Sequence, residues 1–229
     1  MIEQVKKLLI QTNLENESGS VIYSGDETLT KSNNYFLGTN PGGNAGKPYG
    51  EDSILNQLLN SGSENEYFEG DWGNPQHQTN IKYMFEILNI DLWSTFSTNA
   101  AFIRSPGETS YPRNLKFDAE TTFWPIQEYF LSIVQPSLII TNGSIARNLF
   151  WKKMYGKNFH DSHVIQMNKY KYLNSKNKSC YIFQGDLKLD YLSLEKISVI
   201  SIPHLSWKDV NFHKEGIEWC KSRLDYFSI

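Results

Sequence analysis

Short apolar runs that end in turn chemistry, separated by segments of helical period, constrain this chain more than any other feature. Pro136 to Thr141, with Ser-Leu-Ile-Ile at its centre, is apolar enough to be buried on both faces, the habit of a strand in a parallel sheet covered by helices. Strands are also read at Asn34 to Asn40, Leu92 to Phe102 and Ile197 to Ile202, with a short strand at Val21 to Tyr23 and an edge strand at Tyr181 to Phe183. Helical spacing is read over residues 1–12, with Val5, Leu8 and Leu9 on one face, and from an Asp52 or Ser53 cap through Leu59. Further helices are read over 79–88, with Ile81, Phe85 and Leu88 inward, and over 119–134, 145–155 and 210–227. The alternation predicts an α/β fold, a three-layer α/β/α sandwich around a central, mainly parallel four-stranded sheet. No repeat or linker divides the 229 residues, so a single domain over 1–229 is expected. The polar stretch 61–78, with Tyr67, Phe68 and Trp72, is long for a connection and reads as a lid or a variable insertion.

Two cysteines, Cys180 and Cys220, are too few for a four-cysteine zinc or iron–sulfur site and suit a reducing compartment. The opening ten residues carry an acid and two lysines within their apolar pattern, unlike a signal peptide, and no apolar stretch is long enough to span a membrane. A cytoplasmic protein with no membrane partner is expected. Net charge is −3, but unevenly spread: residues 1–93 carry net −8, whereas Arg147 to Lys178 carry eight bases against Asp161. That basic block, with Lys152, Lys153 and Lys157, reads as a phosphate-binding patch or as a solvated face.

The strand ends carry the chemistry. Tyr35-Phe36-Leu37 runs into Gly38-Thr39-Asn40-Pro41-Gly42-Gly43, which turns the backbone off the sheet and leaves Asn40 at the strand's carboxyl end, where open α/β sheets bind ligands. A carboxamide offers donors and an acceptor and does not titrate, so it holds a water at any physiological pH. Asn99 lies in the second strand and His204 follows the last. If these strands are parallel neighbours, the three side chains rim one cleft. Singly, each also reads as a turn, edge or structural residue.

With those residues in that order, the chain resembles the uracil-DNA glycosylase superfamily. Gly38-Thr39-Asn40-Pro41-Gly42 is similar to the Gly-x-Asn-Pro-Gly first motif of its mismatch-specific and single-strand-selective branches. His204-Leu205-Ser206 resembles the His-x-Ser second motif, and Asn99 matches the base-reading asparagine of the middle strand. Leu138-Ile-Ile140 followed by Asn142-Gly143-Ser144 is similar to the strand–Gly–helix segment, and Gly46-Lys47-Pro48-Tyr49 to the Gly-Arg-Pro-Phe of another branch. The resemblance covers roughly residues 34–210. The chain departs from the pattern at Leu205, where proline is usual, at Tyr49, which is closer to the first motif than usual, and at Gly43, where strict uracil enzymes place a bulky tyrosine.

The resemblance implies a monofunctional DNA glycosylase that flips a deaminated or 5-modified pyrimidine out of DNA and hydrolyses its N-glycosidic bond. It implies that Asn40 positions the attacking water and that His204 stabilises negative charge growing on the leaving base. Gly38, Thr39, Pro41 and Gly43 would line the base pocket, Tyr49 would stack on the base, and Asn99 would bond its Watson–Crick edge. Gly42 and Ser206 would hold phosphates, and Trp207 or Lys208 would wedge into the duplex. No lysine is placed for Schiff-base chemistry, no metal or cofactor is called for, and a monomer acting on DNA is expected. The open side at Gly43 favours a C5-substituted base, extending to glucosylated hydroxymethylcytosine in phage DNA; ordinary uracil repair is the alternative. A DNA-binding module without chemistry is the rival of another class. An unrelated nucleotide-binding α/β protein is disfavoured, because Gly-x-Gly-x-x-Gly and a P-loop are absent.

Overall fold

A computed structural model describes residues 2–43, 50–60, 62, 65–69, 75–105, 119–160, 167–171, 179–205 and 210–226. In chain order the elements are α1 (Ile2–Gln11), β1 (Asn34–Gly38), α2 (Ile54–Asn60), α3 (Glu66–Glu69), α4 (Pro75–Leu88) and β2 (Phe96–Asn99). Then come a π-helical turn (Ala119–Phe123), α5 (Trp124–Val134), β3 (Leu138–Asn142), α6 (Ser144–Tyr155), β4 (Met167–Lys171), β5 (Ser179–Lys188), β6 (Ser193–Ile202) and α7 (Val210–Tyr226).

The strands form one sheet in the order β2-β1-β3-β6-β5-β4. The first four are mutually parallel, and β5 and β4 extend the sheet in antiparallel fashion. All five residues of β3 are buried, as a strand covered on both faces requires. Alternate side chains feed two cores. Tyr35, Leu37, Ile139 and Val199 pack with residues of α1, α2, α5 and α6. Phe36, Leu138, Ile140 and Ile200 pack with Ile81 and Phe85 of α4 and Ile217 and Cys220 of α7. This is the predicted three-layer α/β/α sandwich, but its sheet has six strands where four were expected, because β5 and β4 extend it beyond the four parallel strands.

Several boundaries differ from those read in the sequence. Val21 to Tyr23 is no strand; it touches the sheet through an isolated bridge between Ile22 and Thr98. Tyr181 to Phe183 is not at the edge, because β5 continues to Lys188 and β4 covers its outer side. Helix α4 begins at Pro75, four residues before the predicted start, with proline in the first turn where its missing N–H costs nothing. Ser53 does cap α2, its Oγ accepting from the Asn56 N–H at 3.3 Å. Among the described residues, no helix is long and apolar enough to cross a membrane.

The parallel strands put their carboxyl ends on one rim. In sheet order that rim carries Asn99 at the end of β2, Asn40 two residues beyond β1, Asn142 at the end of β3 and His204 two residues beyond β6. The chain passes from β1 to a neighbour on one side, β2, and returns on the other with β3, so strand order reverses at β1, where α/β sheets open a crevice.

Candidate active site

Backbone pairing outlasts β1. Ala100 N donates to Gly38 O at 2.9 Å, Ala101 N to Thr39 O at 3.0 Å, and Ser105 N to Pro41 O at 3.0 Å. The turn carrying Asn40 is thereby zipped to the segment leaving β2. Asn40 Nδ2 donates to Pro41 O at 2.7 Å and to Ser105 O at 2.9 Å. Two carbonyl acceptors fix which way the amide points. They leave Oδ1 as the amide's uncommitted acceptor, the atom that can take a hydrogen bond from a water.

Asn99 is only 4% exposed. Its Oδ1 lies 2.1 Å from where a Cβ on Gly38 would stand, so glycine at 38 is what lets the Asn99 side chain lie across β1. Behind it, Gln127 Nε2 donates to Asn99 O at 2.6 Å, and Tyr35 Oη donates to Gln127 Oε1 at 2.7 Å. Asn99 therefore stands on a fully buried polar relay.

Between β1 and β3, Thr39 Oγ1 donates to Asn142 O at 2.9 Å. Gly143 follows with φ +110°, and a Cβ there would meet Thr39 Oγ1 at 2.2 Å and His204 Cδ2 at 3.4 Å. Glycine is required here both by conformation and by space.

His204 is held through its neighbour. Leu205 N donates to Asn142 Oδ1 at 3.0 Å, and Asn80 Nδ2 donates to Leu205 O at 2.7 Å, with Gln76 Nε2 on Asn80 Oδ1 at 2.9 Å. Proline could not supply the Leu205 N–H, so the departure from the expected motif is built into this clamp. The imidazole of His204 stacks on that of His77 from α4, centroids 5.0 Å apart and planes 6° apart. Burial, with the stacked His204 second, pushes His77 down to about 3, so His77 is uncharged at neutral pH. Asn142 Nδ2 is buried and donates to no described residue, leaving an unused donor at the centre of the rim.

Gly43 has φ +92°, and on its open side stands Arg104. Arg104 Nη1 donates to Gly42 O at 3.0 Å, and its Cδ would lie 3.7 Å from a Cβ on Gly43. Glu66, the first residue of α3, is within electrostatic reach of Arg104 and Tyr23. Burial raises its carboxyl to about 7, against the lowering pull of Arg104.

Of the residues singled out in the sequence, Gly38, Thr39, Asn40, Pro41, Gly42, Gly43, Asn99 and His204 share this rim. Tyr49, Ser206, Trp207 and Lys208 lie outside the described residues. Lys152 and Lys153 do not join the rim. Helix α6 leaves it at Ser144 and runs back along the sheet. Its last residue, Tyr155, donates to Gln184 O; Gln184 is in register with Ser198, and Ser198 with Leu138 at the start of β3. The two lysines therefore lie in the last turn of α6, at the opposite end of the strands, and Lys153 Nζ sits 4.4 Å over the Trp124 ring. Sequence reasoning missed His77, Asn142, Glu66 and Arg104. The proline at the true start of α4 was the available signal for His77. Among the described residues, no group of three or more His, Cys, Asp or Glu is placed to hold a metal. No protein-family model matches the chain, and no curated protein matches it.

Proposed function

We propose that this protein is a monofunctional DNA glycosylase that hydrolyses the N-glycosidic bond of a flipped, deaminated or 5-modified pyrimidine and leaves an abasic site. The observation that carries the reading is the rim itself: Asn99, Asn40 and His204 stand at the ends of parallel strands of one sheet, around an order reversal. In this reading Asn40 Oδ1 holds the attacking water, since Nδ2 is already committed to two carbonyls. Little basicity is needed once the sugar becomes cationic. His204 donates to the base oxygen on which charge develops, in a site where the neighbouring ring adds no positive charge. Asn99, fixed from behind by Gln127, reads the base edge. The protein acts as a monomer on DNA without a cofactor, and a defence role against phage DNA with hypermodified cytosine belongs to the same proposal.

The test is single-turnover base release, followed by mass spectrometry, from oligonucleotides carrying uracil, 5-hydroxymethyluracil, hydroxymethylcytosine and glucosylated hydroxymethylcytosine. Asn40→Ala and His204→Ala are each expected to slow release at least about 100-fold while keeping the fold. DNA binding with no released base would favour a module that senses bases without chemistry. Near-wild-type release by both variants would sink the mechanism.

A further inference from the structure

The basic block from Arg147 to Lys178 divides between the two ends of the sheet. Lys152 and Lys153 go to the far end with the last turn of α6. Arg147 does not. Its N–H donates to Gly143 O at 3.3 Å, in the first turn of α6, and a Cβ on Gly143 would stand 3.4 Å from His204 Cδ2. Its guanidinium carbon lies 3.8 Å from the centre of the Phe159 ring and 4.8 Å from that of Tyr181. Tyr181 is in register with Ser201, and Ser201 with Thr141, the residue before Asn142, so Tyr181 stands at the rim end of the strands. Its strand, β5, is the neighbour of β6, which carries His204 beyond its end. Register brings more charge to the same corner: in β4, Lys169 lies opposite Tyr181 and Lys171 opposite Ser179. By contrast, the chain up to Trp93, which includes β1, carries net −8. A polyanion is drawn to the β5–β4 side of the rim.

Arg147 is also set in place before any ligand arrives. Nε and Nη2 donate to Asn148 Oδ1 at 3.1 and 3.0 Å, which together with the two rings fixes the plane of the guanidinium. Phe159 is itself held edge-on to Trp151 at 5.4 Å and to Tyr181 at 5.1 Å. The arginine stays partly exposed, so a ligand can reach it. A planar guanidinium held in one orientation suits the two parallel N–H bonds that a phosphate accepts, and it has little rotamer freedom left to lose on binding.

Resting on the reading that the rim faces DNA, we infer that the phosphate backbone leaves the rim across β6 towards β5 and β4, with Arg147 as a fixed phosphate-binding residue and Lys169 and Lys171 beside the track. The four parallel strands alone do not make this surface, because Tyr181, Lys169 and Lys171 all belong to the antiparallel extension of the sheet.

The experiment measures affinity for a duplex carrying a tetrahydrofuran abasic-site mimic from about 50 to about 200 mM salt, by fluorescence anisotropy, which needs no base release. Arg147→Gln should weaken binding about tenfold and lower the slope of log affinity against log salt by about 0.9. Arg147→Lys should keep the wild-type slope, since the cation remains. Adding Lys169→Gln and Lys171→Gln to Arg147→Gln should bring the total fall to about 2 or more. Thermal melts accompany each variant. A guanidinium that only caps the two rings would lower the melting temperature of Arg147→Gln and leave its slope at the wild-type value, and that result overturns the inference. So does a triple variant whose slope is no lower than that of Arg147→Gln alone. If Arg147→Gln does not fold, the wild type decides. DNA should slow modification of Arg147 by a dicarbonyl reagent, read by mass spectrometry, and an unchanged rate overturns the inference. Release of no base from any substrate, with the slope lowered as expected, overturns the glycosylase reading and leaves this one standing. Failure of the wild type to bind DNA overturns both.

Discussion

His77 and His204 stack with their rings 5.0 Å apart and nearly parallel, although they come from a helix start and a strand end 127 positions apart in the chain. Two imidazoles so placed cannot both be charged without repelling each other at short range. Burial and that repulsion fall on His77, which is held down to about 3. In the proposed mechanism His204 would then donate beside a neutral ring, without the field of a second positive charge next to it.

The first prediction concerns stability against pH. His77 has a lower pKa folded, about 3, than unfolded, about 6.5, so the unfolded chain binds the extra proton. The contribution of this site is fully present above pH 6.5 and is lost as pH falls from 6.5 towards 3. Between pH 6.5 and 4.5 it amounts to about 2–3 kcal/mol. Glu66 runs the other way: its raised value makes its contribution greatest below pH 4.5 and lost as pH rises through about 7. The two must be separated by variants. His77→Gln should flatten the acid side of a melting-temperature profile, and Glu66→Gln should stabilise at pH 8 more than at pH 5. Parallel profiles for wild type and His77→Gln would show that His77 is not held neutral by the fold.

A second prediction uses the departure at Leu205. Its N–H is the donor that Asn142 Oδ1 accepts, and its side chain is fully buried. Leu205→Pro removes the donor, strands a buried acceptor beside the already unsatisfied Asn142 Nδ2, and trims a core side chain. The cost should be about 2–4 kcal/mol in denaturant unfolding, with base release reduced further because His204 loses its anchor. Unchanged stability would mean that the Asn142 clamp contributes nothing.

The layered fold was legible because burial on both faces leaves an unmistakable apolar run, as in Leu138-Ile-Ile, and because helix faces such as Ile81, Phe85 and Leu88 repeat at helical spacing. Strand β4, Met-Asn-Lys-Tyr-Lys, left no such mark. It needs none, since an edge strand is held by ladder bonds to β5 on one side only. Asn40 and His204 were legible because each follows an apolar run, which fixes its position on the sheet; Asn99 ends the largely polar Phe-Ser-Thr-Asn and was singled out by its match to the middle-strand asparagine of the resemblance. Glu66 and His77 belong to no apolar run; they lie in and just after the long segment that joins α2 to α4, whose course is set by tertiary packing, which local pattern does not encode. Arg104 does follow an apolar run, Ala100 to Ile103, but nothing in that run shows that its side chain reaches Gly42. The position of Lys152 and Lys153 was not legible for the converse reason: charge density says that a segment is basic, not which end of the sheet it occupies.

That placement yields a third prediction. Neutralising Lys152, Lys153 and Lys157 together should leave the slope of log affinity for DNA against log salt nearly unchanged, because the helix end carrying the first two lies away from the rim. Each cation that truly met a phosphate would lower the slope by about 0.9. Arg147 is a different case. It lies on the first turn of α6, near the rim, with its guanidinium over the rings of Phe159 at 3.8 Å and Tyr181 at 4.8 Å. A slope reduced by about 2 or more in the triple variant would put the DNA track along the far end of α6.

The last prediction tests the orientation of the Asn40 amide, on which the water-holding role depends. Nδ2 faces the carbonyls of Pro41 and Ser105 at 2.7 and 2.9 Å. Asn40→Ala simply deletes those bonds. Asn40→Asp replaces the donor by a carboxylate oxygen aimed at two acceptors, a contact that is repulsive unless the carboxyl keeps a proton to donate. The folded-state pKa of the new aspartate should therefore rise above its unfolded value of about 3.9. By linkage the aspartate variant should match or exceed the alanine variant below that value and lose ground as pH rises through the folded pKa, trailing by about 1–3 kcal/mol at pH 8. Comparing the two variants cancels the backgrounds of His77 and Glu66. Base release at pH 8 should be as low in the aspartate variant as in the alanine variant, since a carboxylate driven away from the two carbonyls no longer presents its oxygen where Asn40 Oδ1 stood. If the aspartate variant is as stable as the wild type at pH 8, the amide points the other way, and the water must be held by a different atom.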